Sequence, residues 1–147
     1  MSKPRKAVGY VCDIPILGTD LVIGKEFQKE RITEYAKREN ITLAEIFEDE
    51  QYREDFMERP GVKAVLAAGP DIDAVLVERV WCLSRKKKEL EPLVRLLDKK
   101  QMQLASASYL WDCLSQMVRH HYLGALAERQ RTTALAVAEQ KHGREAA

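Results

Sequence analysis

The chain has 147 residues, enough for one domain with a hydrophobic core, and its 24 basic and 23 acidic side chains leave a formal net charge of +1. A nucleic-acid function therefore does not follow from net charge and would require local basic patches. No apolar run reaches the roughly 18 residues that span a bilayer, no signal-peptide core follows the basic N-terminus, and three widely spaced cysteines do not form a disulfide framework. We expect a cytoplasmic protein without a membrane partner.

Short apolar runs alternate with helical patterns along most of the chain. Strands are predicted at residues 7–11, 43–47, 73–80 and 102–105. Helices are predicted at 25–39, where Phe27, Ile32, Tyr35 and Ala36 lie near one face, at 60–68, where Val62, Val65 and Leu66 form the buried stripe, and around Leu90, Leu93, Val94 and Leu97. The alternation predicts an α/β fold with a mainly parallel sheet of four to five strands, flanked by helices.

Two segments are predicted as loops. Residues 18–26 lie where a phosphate-binding loop would lie, but five residues separate the glycines instead of four, and Glu26 replaces the hydroxyl that binds magnesium. We therefore interpret this segment as an ordinary flexible loop. The charged stretch at 48–58 has no clear period and is predicted to be an exposed loop or arm.

A long helix is predicted at the C-terminal end, because only Gly124 interrupts the helical pattern from Trp111 to His142. At 1.5 Å per residue it would extend about 48 Å. We therefore divide the chain into an α/β domain at 1–110 and an oligomerisation helix with a tail at 111–147, without a separate helix-turn-helix domain. Its first half has an apolar stripe of Leu114, Met117, Val118, His121 and Ala125, and residues 132–138 are rich in alanine. A homodimer or higher oligomer would cover this surface; a frayed tail is the alternative.

Four motifs occur in a characteristic order. They are Gly9-Tyr10-Val11-Cys12-Asp13-Ile14, Arg59-Pro60-Gly61, Trp81-Cys82-Leu83-Ser84-Arg85 and Ala125–Arg131. Together they resemble the catalytic domain of serine recombinases, the resolvase/invertase family, whose motifs read G-Y-x-R-V-S, R-P-x and D-R-L-x-R. The resemblance covers about residues 6–143. It implies a resolvase-like fold in which the last helix makes the dimer and contacts DNA with its far end.

The resemblance also implies that the family's chemistry has been removed. It places the nucleophilic serine at Ile14, two catalytic arginines at Cys12 and Cys82, and an aspartate at Trp81. Phosphoryl transfer depends on a positioned nucleophile and on cations around the equatorial oxygens, so we expect no intact catalytic set. The vestigial pocket that remains comprises Cys12, Asp13, Ile14, Asp49, Arg59, Cys82 and Arg85.

Two features of this pocket allow alternatives. Cys12 and Cys82 either face each other as a redox pair or partial metal site, or are small, buried, inert thiols. The inert thiols are favoured because no histidine or third ligand is assignable nearby, and we expect neither a metal nor a cofactor. Ser84 is either the N-cap of the following helix, which is favoured, or a displaced nucleophile.

Basic side chains form two groups that are candidates for DNA binding. Arg85, Lys86, Lys87 and Lys88 precede or begin a helix, and Arg129, Arg131, Lys141 and Arg144 lie on the predicted arm. The first group either binds anions at the helix N-terminus or is a solvated run offset by Glu89 and Glu91.

Three functions are consistent with these observations. The leading one is an inactive serine-recombinase-like protein that oligomerises and acts as a DNA-associated accessory or regulatory factor, with a second copy, the DNA backbone or an intact recombinase as partners. The second is an active site-specific recombinase with a displaced nucleophile. The third is a protein-interaction module that does not bind DNA.

Overall fold

A computed structural model describes residues 4–50, 52 and 55–108 of the chain. In chain order the elements are β1 (Lys6–Cys12), β2 (Ile14–Pro15), β3 (Val22–Ile23), α1 (Lys25–Arg38), β4 (Thr42–Asp49), a 3₁₀ turn at Phe56–Glu58, α2 (Pro60–Leu66), β5 (Ala74–Val77), a 3₁₀ turn at Val80–Cys82, α3 (Lys87–Lys99) and β6 (Gln103–Ser106). The predicted long helix and the predicted domain boundary at residue 110 lie outside the described residues.

The main sheet has four strands in the order β4-β1-β5-β6, and all three pairings are parallel. At the centre of the sheet Gly9 pairs with Ile46 on one side and with Leu76 on the other. The predicted α/β class with a mainly parallel sheet is thereby confirmed. Because the strands are parallel, their carboxyl ends meet at one edge of the sheet, where loops from several strands come together.

The sheet separates two apolar clusters, and alternate residues of β1 contribute to each. Val8 and Tyr10 point to the larger cluster, and Ala7 and Val11 point to the smaller one. The larger cluster contains the buried stripes of α2 and α3: Val62, Val65, Leu90, Leu93 and Leu97. The smaller cluster is covered by α1 through Ile32 and Ala36. This alternation follows from the two-residue period of a strand with both faces covered.

Three details of the predicted helices and strands differ from the structure. Phe27 is 42% exposed, and the fully buried residue beside it is Gln28, because the face of α1 that meets the sheet begins at Gln28 and continues through Ile32 and Ala36. Leu66 and Val94 are only partly buried. The strand predicted at 73–80 is shorter, since β5 ends at Val77 and a 3₁₀ turn follows at Val80–Cys82.

Both predicted loops contain ordered structure. Residues 14–23 form a small antiparallel hairpin, in which Ile14 pairs with Ile23. The segment predicted as an exposed arm begins with the last residues of β4 and contains Phe56, which is only 2% exposed. Phe56 is buried in the larger apolar cluster, and Tyr52 packs against that cluster. Among the described residues, no helix is long and apolar enough to cross a membrane.

Candidate functional site

A buried hydrogen-bond network joins the carboxyl end of β1 to the end of β4 and the start of α2. The Tyr10 hydroxyl donates to Asp49 Oδ2 over 2.8 Å, and the Gly61 N–H donates to Asp49 Oδ1 over 2.9 Å. Burial raises the pKa of Tyr10, so its phenol stays protonated and remains a donor. Both carboxylate oxygens of Asp49 are therefore occupied by donors from the protein itself.

Arg59 lies in the middle of this network and is fully buried, with 0% of the residue exposed. Its Nη1 donates to the Tyr10 hydroxyl over 3.1 Å and to the backbone carbonyl of Cys82, and its Nη2 donates to the Leu83 carbonyl over 3.2 Å. The Tyr52 ring covers the guanidinium, with its centroid 4.6 Å from Arg59 Cζ. The charge is thus held by two backbone carbonyls, a phenol and a ring, which is how a buried cation is stabilised.

Cys12 and Cys82 are both free thiols with 0% exposure. Burial raises the pKa of both, against the opposing effect of the Arg59 guanidinium. The thiolate is the reactive form and the metal ligand, so both kinds of chemistry are disfavoured here. In the part of the chain that the structure describes, no group of three or more His, Cys, Asp or Glu side chains could hold a metal ion.

The residues that follow β1 have structural roles. Ile14, at the position that the resemblance gives to the nucleophilic serine, is 0% exposed and belongs to the larger apolar cluster. Asp13 Oδ1 accepts a 2.8 Å hydrogen bond from the backbone N–H of Lys25, the first residue of α1. A carboxylate at a helix N-terminus pairs with a free N–H and with the positive end of the helix dipole.

Trp81 lies between two arginines at the carboxyl edge of the sheet. Arg85 Cζ is 4.4 Å from the Trp81 ring centroid, and Arg79 Cζ is 5.6 Å from it. Arg79 also forms a buried ion pair with Glu78, in which Nε donates to both carboxylate oxygens over 2.8 and 2.6 Å. Arg85 in turn donates from Nη2 to the Pro15 carbonyl over 2.8 Å, which ties the start of the α3 region to the hairpin.

Ser84 is not the N-cap of α3, so that prediction is wrong. The N-cap is Lys86, two residues later. The Ser84 hydroxyl instead accepts a 3.0 Å hydrogen bond from the Lys86 N–H and donates to Glu89 Oε2 over 2.5 Å. A serine that bonds the backbone two residues ahead forms a turn before the helix, which explains why the helix begins later than the sequence pattern suggested.

A surface cavity of about 180 Å³ opens between the hairpin and the start of α3. Its lining combines two cations, one carboxylate and two hydroxyl-bearing side chains with apolar surface: Arg85, Lys86, Glu89, Ser84, Tyr52, Pro15 and Leu17.

The structure separates the predicted pocket residues into three places. Cys12, Asp49 and Cys82 surround the buried Arg59, Asp13 and Ile14 lie at the base of the hairpin, and Arg85 borders the cavity. Lys86, Lys87 and Lys88 are exposed at the start of α3, where the sequence placed them. The second predicted basic group lies outside the described residues: Arg129, Arg131, Lys141 and Arg144.

Four residues that shape this region were not predicted from the sequence to have a role in it: Tyr10, Gln28, Glu78 and Arg79. A signal existed for Gln28, because it shares a helix face with Ile32 and Ala36 at intervals of four residues, and a polar residue on a buried stripe requires partners. The position of Tyr10 on β1 offered a weaker signal, since alternate residues of that strand face the larger cluster.

Most of the chain matches a known protein-family profile. The family profile described as "Resolvase, N terminal domain" matches residues 24–147. The chain belongs to the resolvase family. The match begins at Gly24, the N-cap of α1, so β1 and the hairpin lie outside the matched part of this resolvase-family protein.

Several solved structures have the same fold. The N-terminal catalytic domain of TP901-1 integrase has a TM-score of 0.62 at 18% identity and covers 88% of this chain and 99% of its own. The C-terminal catalytic domain of ISC1926 TnpA, an IS607-like serine recombinase, has a TM-score of 0.58 at 17% identity, with coverages of 82% and 80%. A resolvase family site-specific recombinase from Streptococcus pneumoniae has a TM-score of 0.58 at 14% identity, with coverages of 97% and 98%. At these identities the likeness concerns the fold. No relative among curated proteins matches the sequence.

Proposed function

We propose that this resolvase-family protein does not cleave DNA and acts as an oligomerising, DNA-associated accessory or regulatory factor. Family membership makes DNA recombination the setting in which it works. The absence of cleavage is inferred from the residues that occupy the family's catalytic positions and from what those residues contact.

The burial of Arg59 carries the proposal. Catalysis at a phosphodiester needs cations that reach the oxygens on which charge develops. Arg59 is fully buried, and it donates to the Tyr10 hydroxyl and to the carbonyls of Cys82 and Leu83. A phosphate would have to displace these internal acceptors, and doing so would leave buried carbonyls without a donor.

The other positions give the same conclusion. Where the resemblance places two arginines, Cys12 and Cys82 are buried thiols whose raised pKa keeps them neutral. Where it places the nucleophile, Ile14 contributes an apolar side chain to the core. These described residues therefore support the proposal that the site has lost both its nucleophile and its cluster of cations.

One observation favours the rival function of an active recombinase with a displaced nucleophile. The Ser84 hydroxyl donates to the Glu89 carboxylate over 2.5 Å and lines the cavity next to Arg85 and Lys86. A carboxylate beside a hydroxyl can act as a general base. Against this, Ser84 is only 2% exposed, and the same carboxylate would repel a DNA phosphate in the cavity.

Incubation of the full chain with supercoiled plasmid, followed by denaturing gels, separates the two functions. We expect neither nicked plasmid nor a covalent protein–DNA adduct. An adduct that disappears in the Ser84→Ala variant would establish the rival, and an adduct that persists in that variant would point to another nucleophile. Either kind of adduct would overturn the proposal.

DNA association is proposed to be weak, insensitive to sequence and dependent on the two basic groups. Phosphate contacts alone give affinity that falls steeply as salt rises. Replacing Lys87 and Lys88 by glutamine should weaken binding and flatten the salt slope, whereas Lys99→Gln with Lys100→Gln, at the other end of α3, removes the same number of charges and provides the control. Tight binding to one defined sequence would reveal an additional specificity element. No binding at low salt would favour the protein-interaction module.

Oligomerisation is proposed to use the apolar stripe between Leu114 and Val137. Light scattering should give a mass above that of a monomer for the full chain and a lower mass for a chain that ends at Gly124. A monomeric full chain at high micromolar concentration would contradict this part of the proposal.

A further inference from the structure

The cavity between the hairpin and the start of α3 holds charges of both signs within a small volume. Its described lining includes the guanidinium of Arg85, the ammonium of Lys86 and the carboxylate of Glu89. The volume of the cavity is about 180 Å³. A protein cavity of about 150 Å³ is large enough to hold benzene, so this space admits a small organic molecule.

The Glu89 carboxylate is held in place and keeps an acceptor available. The Ser84 hydroxyl donates to Glu89 Oε2 over 2.5 Å and accepts from the Lys86 N–H over 3.0 Å. The Lys86 ammonium lies 3.9 Å from Glu89 Oε1, which is too far for a hydrogen bond. Among the described residues no closer donor reaches Oε1, so this oxygen can accept a hydrogen bond from a cationic group that enters the cavity.

Arg85 is also held in place and keeps donors available. Its Cζ lies 4.4 Å from the centroid of the Trp81 ring, and its Nη2 donates to the Pro15 carbonyl over 2.8 Å. A guanidinium has several further N–H donors, and the Pro15 carbonyl is the acceptor that the described part of the chain provides for this group. The remaining donors suit a carboxylate, which matches the planar fork of an arginine.

The hairpin supplies an apolar wall to the cavity. At its tip the Thr19 N–H donates to the Ile16 carbonyl over 3.1 Å, and Gly18 has a φ of +79°, as a type II turn requires at its third position. Leu17 occupies the second position of this turn, lines the cavity and is 75% exposed. An apolar group that packs on Leu17 removes this surface from water, and this burial favours binding.

The base of the hairpin is anchored to the domain, which keeps this wall in position. Gln28 is fully buried, and its Nε2 donates to the carbonyls of Cys12 and Ile23 over 2.7 and 2.9 Å. Its Oε1 accepts from the Cys12 N–H over 3.3 Å. The cavity is therefore formed before a ligand arrives, as is usual for small-molecule sites.

The charges in the cavity define the class of ligand. An anion without a cationic group would be repelled by Glu89, and a cation without an anionic group would be repelled by Arg85 and Lys86. A zwitterion is attracted by both. Because the Lys86 ammonium and Glu89 Oε1 are only 3.9 Å apart, the two charges of the ligand must also be neighbours, as they are in an α-amino acid.

We propose that this cavity binds a free α-amino acid with an apolar side chain. Its carboxylate binds Arg85 and Lys86, its ammonium binds Glu89, and its side chain packs against Leu17 and Tyr52. This ligand goes beyond the proposed function and does not depend on it. Binding is measured without DNA, so a covalent adduct with plasmid DNA would overturn the proposed function and leave the amino-acid site intact.

Calorimetric titration of the full chain tests the class of ligand. The probes are L-leucine and L-phenylalanine, and we expect saturable binding of at least one of them. The analogues without the amino group, isocaproate and hydrocinnamate, should bind about tenfold more weakly or less, and so should the analogues without the carboxylate, isoamylamine and phenethylamine. Failure of both amino acids to bind at millimolar concentrations would overturn the proposal. An analogue or inorganic phosphate that binds as tightly as the amino acid would also overturn it.

A charge-neutral variant tests the residues that bind the ligand. Glu89→Gln should weaken binding of the amino acid about tenfold or more and should not weaken binding of the analogue that lacks the amino group. Glu91→Gln removes the same charge at an exposed position of α3 outside the described lining of the cavity and should change neither affinity. Wild-type affinity for the amino acid in Glu89→Gln would overturn the proposal.

Methyl resonances of the wild-type chain provide a measurement that needs no variant. Leu17 lines the cavity, whereas Leu21, on the same hairpin, is 65% exposed and is not among the described lining residues. A saturating amino acid should therefore shift the methyl resonances of Leu17 and leave those of Leu21 in place. Unshifted Leu17 resonances would place the ligand elsewhere and overturn the proposal.

Discussion

The carboxylate of Asp49 occupies the space in which a side chain on Gly61 would begin. Gly61 donates its N–H to Asp49 Oδ1 over 2.9 Å, and a Cβ on Gly61 would lie only 2.6 Å from Oδ2 and 3.0 Å from the Glu48 carbonyl oxygen. The end of β4 therefore meets the start of α2 through a contact that requires glycine. The glycine of the Arg59-Pro60-Gly61 motif is explained here by packing.

Gly61→Ala should lower the free energy of unfolding by about 1–3 kcal/mol, because the methyl group forces apart a buried hydrogen bond and its surroundings. Gly24→Ala is the matched control, since a Cβ on Gly24 meets nothing within 4 Å. Urea denaturation of both variants gives the comparison. If Gly24→Ala were the more damaging of the two, the steric explanation would fail.

Arg59→Ala should lower the free energy of unfolding by about 3 kcal/mol or more, because it leaves the Cys82 and Leu83 carbonyls buried without their donor. Arg59→Lys should recover only part of that loss, because an ammonium cannot reproduce the fork of the guanidinium. Arg95→Ala, at an exposed position of α3, should stay within about 0.5 kcal/mol of wild type. Wild-type stability in Arg59→Ala would show that the side chain has no structural role.

Gln28→Ala should lower the free energy of unfolding by about 2 kcal/mol or more, because it leaves the Cys12 and Ile23 carbonyls without their side-chain donor. It should also loosen the hairpin, so that the Ile16 N–H, which donates to the Leu21 carbonyl, exchanges with deuterium faster. Glu30→Ala, exposed on the same helix, should change neither measurement. Unaltered exchange at Ile16 in Gln28→Ala would contradict the anchoring role.

Stability should decline at alkaline pH partly through Cys82. Burial raises the pKa of this thiol above its ordinary value of 9.0, so the folded state keeps its proton where the unfolded state loses it. The contribution of the protonated Cys82 thiol to folding stability is complete below pH 9. It is lost as the pH rises toward the raised pKa of the folded state. Cys82→Ala should therefore show a shallower fall in melting temperature above pH 9 than wild type. Parallel curves for the two proteins would contradict the assignment.

The periodic parts of this fold were predictable from the sequence. The strands β1, β4, β5 and β6 have apolar runs, and α1 and α3 have apolar residues at helical spacing, because both patterns follow from which faces meet the core. The hairpin was missed because its strands have two residues each. Such short strands are stabilised by tertiary hydrogen bonds from Gln28 and Arg85, and no local pattern records these contacts.

Only part of the candidate site could be predicted from the sequence. The order of the motifs predicted that Cys12, Arg59 and Cys82 share one pocket, and in the structure these three residues lie together. Arg59 is turned inward because the backbone carbonyls of Cys82 and Leu83 accept its hydrogen bonds. The positions of these carbonyls depend on the fold and cannot be read from the sequence. For the same reason Ser84 was assigned to the helix cap, although the helix begins two residues later than the pattern indicated.

The position of β1 in the sheet has a consequence for synthesis of the chain. β1 is translated before the other described strands, yet it lies inside the sheet, and its two neighbours are β4 and β5. Its apolar residues from Ala7 to Val11 therefore stay unpaired until β4 (Thr42–Asp49) has been translated. The other edge of β1 stays unpaired until β5 is complete at Val77. At about 5–20 residues per second, this interval lasts several seconds. During that time an exposed, uncharged strand is available to chaperones and to neighbouring nascent chains.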